Sequence, residues 1–327
     1  MTNSNVSLDD KYSIESGRIF VTGVQALARI PMVQRQRDVL EGLNTAGFIS
    51  GYRGSPVGGF DQQLWRAKKF LEQNHIRFQP GLNEDLAASA IWGSQQTNLH
   101  EGGKYDGVFA IWYGKGPGVD RCGDVFKHGN MSGPAKHGGV LLIAGDDHAA
   151  KSSTVPHQSE YAFMDASIPV LNPAGLQDIV DYGILGFAMS RFSGCWVAFK
   201  TTAENMDSSA SIDVSPDRVK ISLPKFDMPE GGLSIRWPDD WIEQEHRLHQ
   251  YKLNAVRAFA RQNKIDKTII NSQNPKLGVV TTGKSYLDVR QALEDLGINE
   301  AKADKIGLRV YKVGMPWPLE PQGIDEF

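Results

Sequence analysis

Apolar positions along this chain change period in a regular way. Nearly continuous apolar runs, such as "AGFIS" at 46–50, "VFAIWY" at 108–113, "VLLIA" at 140–144 and "CWVAF" at 195–199, alternate with longer stretches of helical spacing. The first such stretch, 60–74, places Phe60, Leu64, Ala67, Phe70 and Leu71 on one face. The next is 84–98, after the short strand-like "IRFQPG". A third begins at "NPAGLQDIV", where Asn172 is a candidate N-cap and Pro173 suits a first turn. Runs this continuous do not suit a half-exposed strand. They predict an α/β fold with a parallel sheet covered by helices on both faces.

From Asp213 to Pro238 the rhythm breaks. Four prolines and no long period predict an extended connection with room for a short hairpin. The stretch "DDWIEQEHRLHQYKLNAVRAFARQN" then predicts an amphipathic helix with Trp241, Leu248, Tyr251, Val256 and Phe259 toward a core. Its acids come early and its bases late, as the helix dipole favours. After it, "KLGVVTTG", "SYLDVRQALEDLG" and "IGLRVYKVG" form a βαβ unit. Two strands cannot bury both faces of a sheet. The expectation is a chain that is truncated or completed by another chain. The resulting division is residues 1–212, a connection with its helix over 213–274, and a partial unit over 275–327.

Composition narrows the class. A length of 327 residues suits two domains. A net charge of −3 gives no nucleic-acid or membrane footprint. Two cysteines far apart, Cys122 and Cys195, supply neither a disulfide framework nor a cluster site. The polar start "MTNSNVSLDD" lacks the apolar core of a signal peptide, and the longest apolar run is far too short to span a membrane. A cytoplasmic location is the expectation.

Candidate chemistry gathers where predicted strands end in glycines and polar residues, at Gly51–Gly59, Pro80–Asp85, Gly114–Arg121 and Gly145–Ser153. Ligands of open α/β sheets bind at such carboxyl ends. "GKGPG" at 114–118 lacks the spacing of a nucleotide phosphate loop. "GYRGSPVGG" at 51–59 is either a plain turn or a loop whose Ser55 hydroxyl meets a small anion. Asp146, Asp147, His148, Lys151, Ser152, Ser153 and His157 fall within twelve residues; they read as a metal site or as a solvated loop. His128 and His137 are equally open. A hydrolase using Ser55 with a histidine lacks the expected nucleophile elbow.

"NEDLAASAIWG" from Asn83 poses the sharper question. Asn83 suits an N-cap, and Glu84 and Asp85 in a first turn would each stabilise a helix by about 0.3–1 kcal/mol. The residues after them are small and apolar nearly all round, which predicts a buried helix and a partly desolvated carboxylate at its mouth. Burial raises a carboxyl pKa, which suits a proton-sharing site.

Together, "GYRGSPVGG", "GLNEDLAASAIWGSQ", "GKGPGVDRCGDVFKHGNMSG" and "GGVLLIAGDDHAAKSSTVPHQSE" resemble the N-terminal part of the bacterial indolepyruvate ferredoxin oxidoreductases. These belong to the thiamine-diphosphate-dependent 2-oxoacid:ferredoxin oxidoreductases. The resemblance covers about residues 15–205, and "KLGVVTTGKSYLDVRQALEDLGI" resembles the start of the transketolase C-terminal-type domain that follows. It implies a pyrimidine-binding domain in which Glu84 bonds the cofactor's aminopyrimidine and promotes formation of the ylid, leaving Asp85 as the helix-start residue. It also implies Gly54, Gly116 and Gly118 near the cofactor, and Ser55 and Arg121 toward the 2-oxoacid. The implied reaction is oxidative decarboxylation of an arylpyruvate to its acyl-CoA, with electrons passing to ferredoxin. The family's Gly-Asp-Gly…Asn pattern for magnesium and diphosphate, and its cysteine-rich iron–sulfur ligands, are not found in this sequence. Magnesium, the diphosphate-binding domain and the cluster are therefore expected on further sequence or a partner chain, in an oligomer. The alternative is a non-catalytic interaction module that docks to a partner carrying the active site.

Overall fold

The computed structural model of the chain describes residues 6–150 and 154–327. Its strands are β1 (Arg18–Thr22), β2 (Ala46–Gly51), β3 (Ile76–Phe78), β4 (Val108–Lys115), β5 (Val140–Asp146), β6 (Val170–Leu171), β7 (Val197–Thr202), β8 (Ser209–Asp213), β9 (Lys267–Ile270), β10 (Leu277–Thr282) and β11 (Leu308–Val313). Six of them form one parallel sheet in the order β3-β2-β4-β5-β7-β6. Alternate residues of the central strands feed two separate cores. Phe109, Ile111, Tyr113, Leu141, Ile143, Val197 and Phe199 face one, and Ala110, Trp112, Val140, Leu142, Ala144 and Ala198 face the other. The helices Gly23–Leu40 and Leu176–Ser193 cover the first core; Glu84–Gln95 and Gly123–Ser132 cover the second. This is the doubly covered parallel sheet that the apolar runs predict. Among the described residues no helix is long and apolar enough to cross a membrane.

A buried ion pair ties the two helices of the first core together. Arg191 meets the fully buried Asp38 at 2.6 and 2.9 Å and donates through Nε to Gly138 O at 2.8 Å. Thr45 and Gln34 donate to the same carboxylate at 2.6 and 2.8 Å. Every lone pair that burial removes from water is thus matched within the protein.

Several elements depart from the sequence pattern. The helix expected over 60–74 is two, Phe60–Arg66 and Lys68–Gln73, meeting at Ala67, which is fully buried. The N-cap of the long helix is Gly175 rather than Asn172. Asn172 is used elsewhere: its amide donates to Thr282 Oγ1 at 3.2 Å, and its backbone N–H donates to Gly314 O at 2.8 Å. β8 pairs antiparallel with β1, joining chain segments about 190 residues apart that no local pattern connects. The predicted single helix after Asp240 contains a π turn at Leu248–Lys252 between Trp241–Arg247 and Leu253–Gln262. That turn shifts the phase of the apolar face. Leu248, Val256 and Phe259 are buried as expected, Tyr251 is half-buried, and Trp241 is 74% exposed. The same turn carries Lys252 inside, where its Nζ donates to Asn130 O at 3.0 Å and Met131 O at 2.8 Å at the end of another helix.

The C-terminal unit has three strands, not two, in the order β10-β11-β9, with β9 antiparallel. β9 precedes the expected start of the unit, and a short core of Ile270, Ala303, Leu308 and Val310 holds it. β10 pairs only with β11, and Leu277 and Val280 on it are more than half exposed. The unit packs on the main sheet through Lys312 Nζ to Asp178 Oδ2 at 2.5 Å and Val170 N to Trp317 O at 2.7 Å.

Arg191→Met would leave Asp38 charged and uncompensated inside the first core. Stability should fall by about 3–5 kcal/mol, read as a lower urea midpoint. Lys252 gives a pH signature. Burial pulls its amine down from 10.5 to about 8. Between these values the unfolded chain binds more protons at this site, so stability gains from Lys252 as pH rises from about 8 to 10.5. In Lys252→Met that gain should be missing, as measured by urea midpoints across the same range.

Candidate functional site

The carboxyl ends of β2, β4, β5 and β7 bring together the loops marked in the sequence. Glu84 opens the helix Glu84–Gln95, and Asn83 is its N-cap, accepting from Leu86 N at 2.9 Å. The indole Nε1 of Trp112, on β4, donates to Glu84 O at 3.1 Å and fixes the helix mouth against the sheet. The Glu84 side chain is 14% exposed and lies beside Gly118. A Cβ at Gly118 would sit 2.5 Å from Glu84 Cγ, so only glycine leaves this carboxylate its place. Arg121 lies 3.7 Å from Glu84 Oε2 and 3.9 Å from Asp85 Oδ2. Both acids therefore face one guanidinium, in addition to their place in the first turn of the helix. Burial, reinforced by the charges of Asp85 and Glu84, pushes the Cys122 thiol up and keeps it protonated.

The helix itself is not buried all round. Ala87, Ala88, Ile91 and Gln95 pack inward, while Leu86, Ser89 and Gly93 face solvent. Small side chains let one face lie close on the sheet and leave the opposite face uncovered.

The polar stretch at the end of β5 divides: Asp146 and Asp147 enter a buried ionic network, whereas His148 and residues 154–156 are exposed. Asp146 and Asp147 are both buried. Asp146 accepts from Ser159 N at 2.9 Å and Ser159 Oγ at 2.5 Å, with Lys200 Nζ at 3.5 Å. Lys200, from β7, also pairs with Glu160, and Lys115, from the end of β4, lies 3.5 Å from Asp147. His157 stands between two carboxylates, 2.8 Å from Asp120 and 3.8 Å from Asp146. Its ring occupies the space in which a Cβ at Gly116 would fall. His148 is exposed, and Lys151, Ser152 and Ser153 lie outside the described residues. Among the described residues no group of three or more His, Cys, Asp or Glu is placed to hold a metal ion.

The loop after β2 reaches the same edge. Gly54 lies against the Lys115 side chain, and Pro56, after a cis bond from Ser55, approaches Gly145 at the end of β5. Among the described residues no hydrogen bond or ion pair joins Ser55 to Arg121. His128 stacks on Trp92 away from the network, and His137 lies before the amino end of β5, at the other end of the sheet. The structure thus groups Glu84, Gly118 and Arg121; Gly116 opens the same short helix as Gly118 and Arg121, and Gly54 packs on the Lys115 side chain. Sequence reasoning missed Lys115, Asp120, Ser159, Glu160 and Lys200. Two acids directly after a fully apolar strand were the available signal, because such a strand end is still inside the protein. Chemically, the arrangement offers a sheltered carboxylate able to hold or share a proton, with a half-exposed guanidinium next to it.

Comparison with known proteins agrees with this fold. Residues 267–327 match the family model described as the indolepyruvate oxidoreductase domain. The chain is similar to the indolepyruvate oxidoreductase subunit IorA of Pyrococcus abyssi, 26% identical over 323 residues, covering 94% of this chain and 43% of that protein. The subunit of the same name from Methanothermobacter thermautotrophicus is 23% identical over 319 residues, covering 96% and 45%. The chain spans less than half the length of these curated relatives. Among solved structures, the 2-oxoglutarate:ferredoxin oxidoreductase from Magnetococcus marinus, with 2-oxoglutarate, coenzyme A and succinyl-CoA bound, has the same fold. Its TM-score is 0.66 at 15% identity, over 95% of this chain and 56% of that one.

Proposed function

We propose that this chain is the pyrimidine-binding part of a thiamine-diphosphate-dependent 2-oxoacid:ferredoxin oxidoreductase, acting on indolepyruvate or another arylpyruvate. The observation that carries this reading is Glu84, a sheltered carboxylate held at the carboxyl edge of a parallel sheet by Trp112, Gly118 and Arg121. Its similarity to IorA subunits and the shared fold support the same reading.

The residues present fit the aminopyrimidine end of the cofactor. Glu84 presents a carboxylate oxygen from a helix mouth that a Cβ at Gly118 would disturb, and Gly54 brings the loop after β2 close to Lys115 at the same edge. When bound, thiamine diphosphate supplies a carbon nucleophile for the 2-oxo group and an electron sink for decarboxylation. The part played by this chain is narrower. Glu84 would hold the cofactor's aminopyrimidine ring and share a proton with its ring nitrogen, from a place largely sheltered from bulk water. Arg121, 54% exposed, keeps its guanidinium beside Glu84 and free to meet a substrate carboxylate. The Ser55 hydroxyl is assigned to the same carboxylate. The diphosphate, magnesium and iron–sulfur cluster are assigned to further sequence or a partner chain, with ferredoxin and coenzyme A as partners of the assembled oligomer.

Two outcomes test this in the complete enzyme with its partner chains. Glu84→Gln should lower 2-oxoacid-dependent reduction of a viologen dye by about 100-fold or more, with the variant's melting temperature near that of the parent. Unchanged turnover would remove the assignment. Arg121→Ala should raise the KM for the 2-oxoacid by about tenfold or more with a smaller change in kcat, read from initial rates. An equal fall in kcat and kcat/KM would instead move Arg121 from substrate binding to the chemical step.

A further inference from the structure

A cavity of about 590 Å³ lies at the opposite end of the sheet from Glu84. The last turns of the helices Gly23–Leu40 and Leu176–Ser193, the residues leading into β5, and the irregular strap over 219–233 enclose it. Ligand pockets fall in about this size range. Its walls are of two kinds. Ala188, Phe192, Ile221, Leu223, Met228 and Leu233 give an apolar lining, and Arg37, Lys136, His137 and Arg191 give a basic one.

The cations of the lining are met in different ways. Arg191 is satisfied by Asp38, and Arg37 donates to the backbone oxygens of Pro216 and Val219. Glu41 supplies the acid on the lining, at the mouth. Lys136 is exposed, and among the described residues it has no acidic partner within 4 Å. Asp38 pairs with Arg191, Glu41 and Asp217 act on Arg37, and Asp106 acts on His137, which leaves Lys136 as the lining cation with no acid within 4 Å among the described residues. Burial, helped by Lys136 and Arg191, pulls His137 below its usual range, so at neutral pH it is an uncharged donor or acceptor there.

The strap is anchored on both sides of the cavity. Val219 O accepts from Arg37, Ser222 exchanges two hydrogen bonds of 2.9 Å with Asn263, and Ile235 N donates to Pro134 O at 2.9 Å. Between the anchors, Leu223 and Met228 are 65% and 41% exposed. These lip residues keep apolar surface in water that an occupant of the cavity would cover.

We infer that this cavity binds a monocarboxylate with an elongated or flat apolar body, its acid group at Lys136 and His137 and its body against Phe192, Leu223 and Met228. Lys136, the lining cation with no acid within 4 Å among the described residues, is placed for one carboxylate, and the apolar lining offers a small, fully polar anion such as inorganic phosphate no further contact. The cavity lies at the amino ends of the strands and Glu84 at their carboxyl ends, so the assignment does not depend on the proposed reaction.

Calorimetric titration of the 327-residue chain with decanoate, decylamine and inorganic phosphate tests it. Decanoate should bind at least about tenfold more tightly than decylamine, and phosphate should give no heat. Lys136→Glu should weaken decanoate by about tenfold or more while Lys136→Arg retains it. Leu223→Asp, a change on an exposed position that leaves the core intact, should weaken decanoate as well. Equal affinity for decanoate and decylamine, or decanoate binding unaltered in both Lys136→Glu and Leu223→Asp, would overturn the assignment.

Discussion

The burial of β4 and β5 on both faces is the constraint on which the rest of this molecule depends. Their side chains alternate between two apolar cores, where a polar atom without a partner is costly; Tyr113 Oη in the first and Trp196 Nε1 in the second are such atoms. Polar chemistry is therefore driven to the strand ends. At the carboxyl ends it becomes the Lys115, Asp146, Asp147 and Lys200 network with the Glu84–Arg121 pair beside it. At the amino ends it becomes the basic wall of the distal cavity. One sheet thus produces two sites of different character, with a largely apolar interior between them.

Much of this order was legible in the residues. Continuous apolar runs located β2, β4, β5 and β7, because a strand covered on both faces needs no polar positions. Asn83 and the two acids after it marked a helix mouth, and the structure has the cap where the residue type placed it. The parts that stayed hidden share a cause. β1 and β8 pair across most of the first domain, and Phe20 on β1 is 70% exposed, so no local period marks them. Trp241 looked like a core residue because its spacing to Leu248 assumes an unbroken helix, and the π turn breaks that spacing. Asn172 looked like a cap because its residue type suits one; its side chain is engaged by Thr282 from more than 100 residues away.

The site shows the same division. Glu84, at the mouth of one helix, and Gly118 and Arg121, in the short helix Gly116–Arg121, lie in stretches whose composition is informative, and they meet in space. His157, Asp120, Ser159, Glu160 and Lys200 come from separate elements, and their contacts exist only once the sheet is assembled. The acids at 146–147 read as solvated because acids usually are. Their burial follows from the position of β5 in the middle of the sheet, with partners from β4 and β7 on either side. A residue type suggests a role, and the neighbours that topology supplies decide it.

β10 carries a different kind of consequence. Its outer edge has unpaired backbone groups next to two apolar side chains in water, and neither proline nor an internal charge interrupts it. Such an edge is a template for adding another strand, from a proper neighbour or from an identical molecule. Lys276 stands just before it, while Lys284 just after it is paired with Asp288 at 2.6 Å, so Lys276 is the charge that two copies meeting edge to edge would bring together. This short run of six residues is thus a place where association of the chain in concentrated solution could begin.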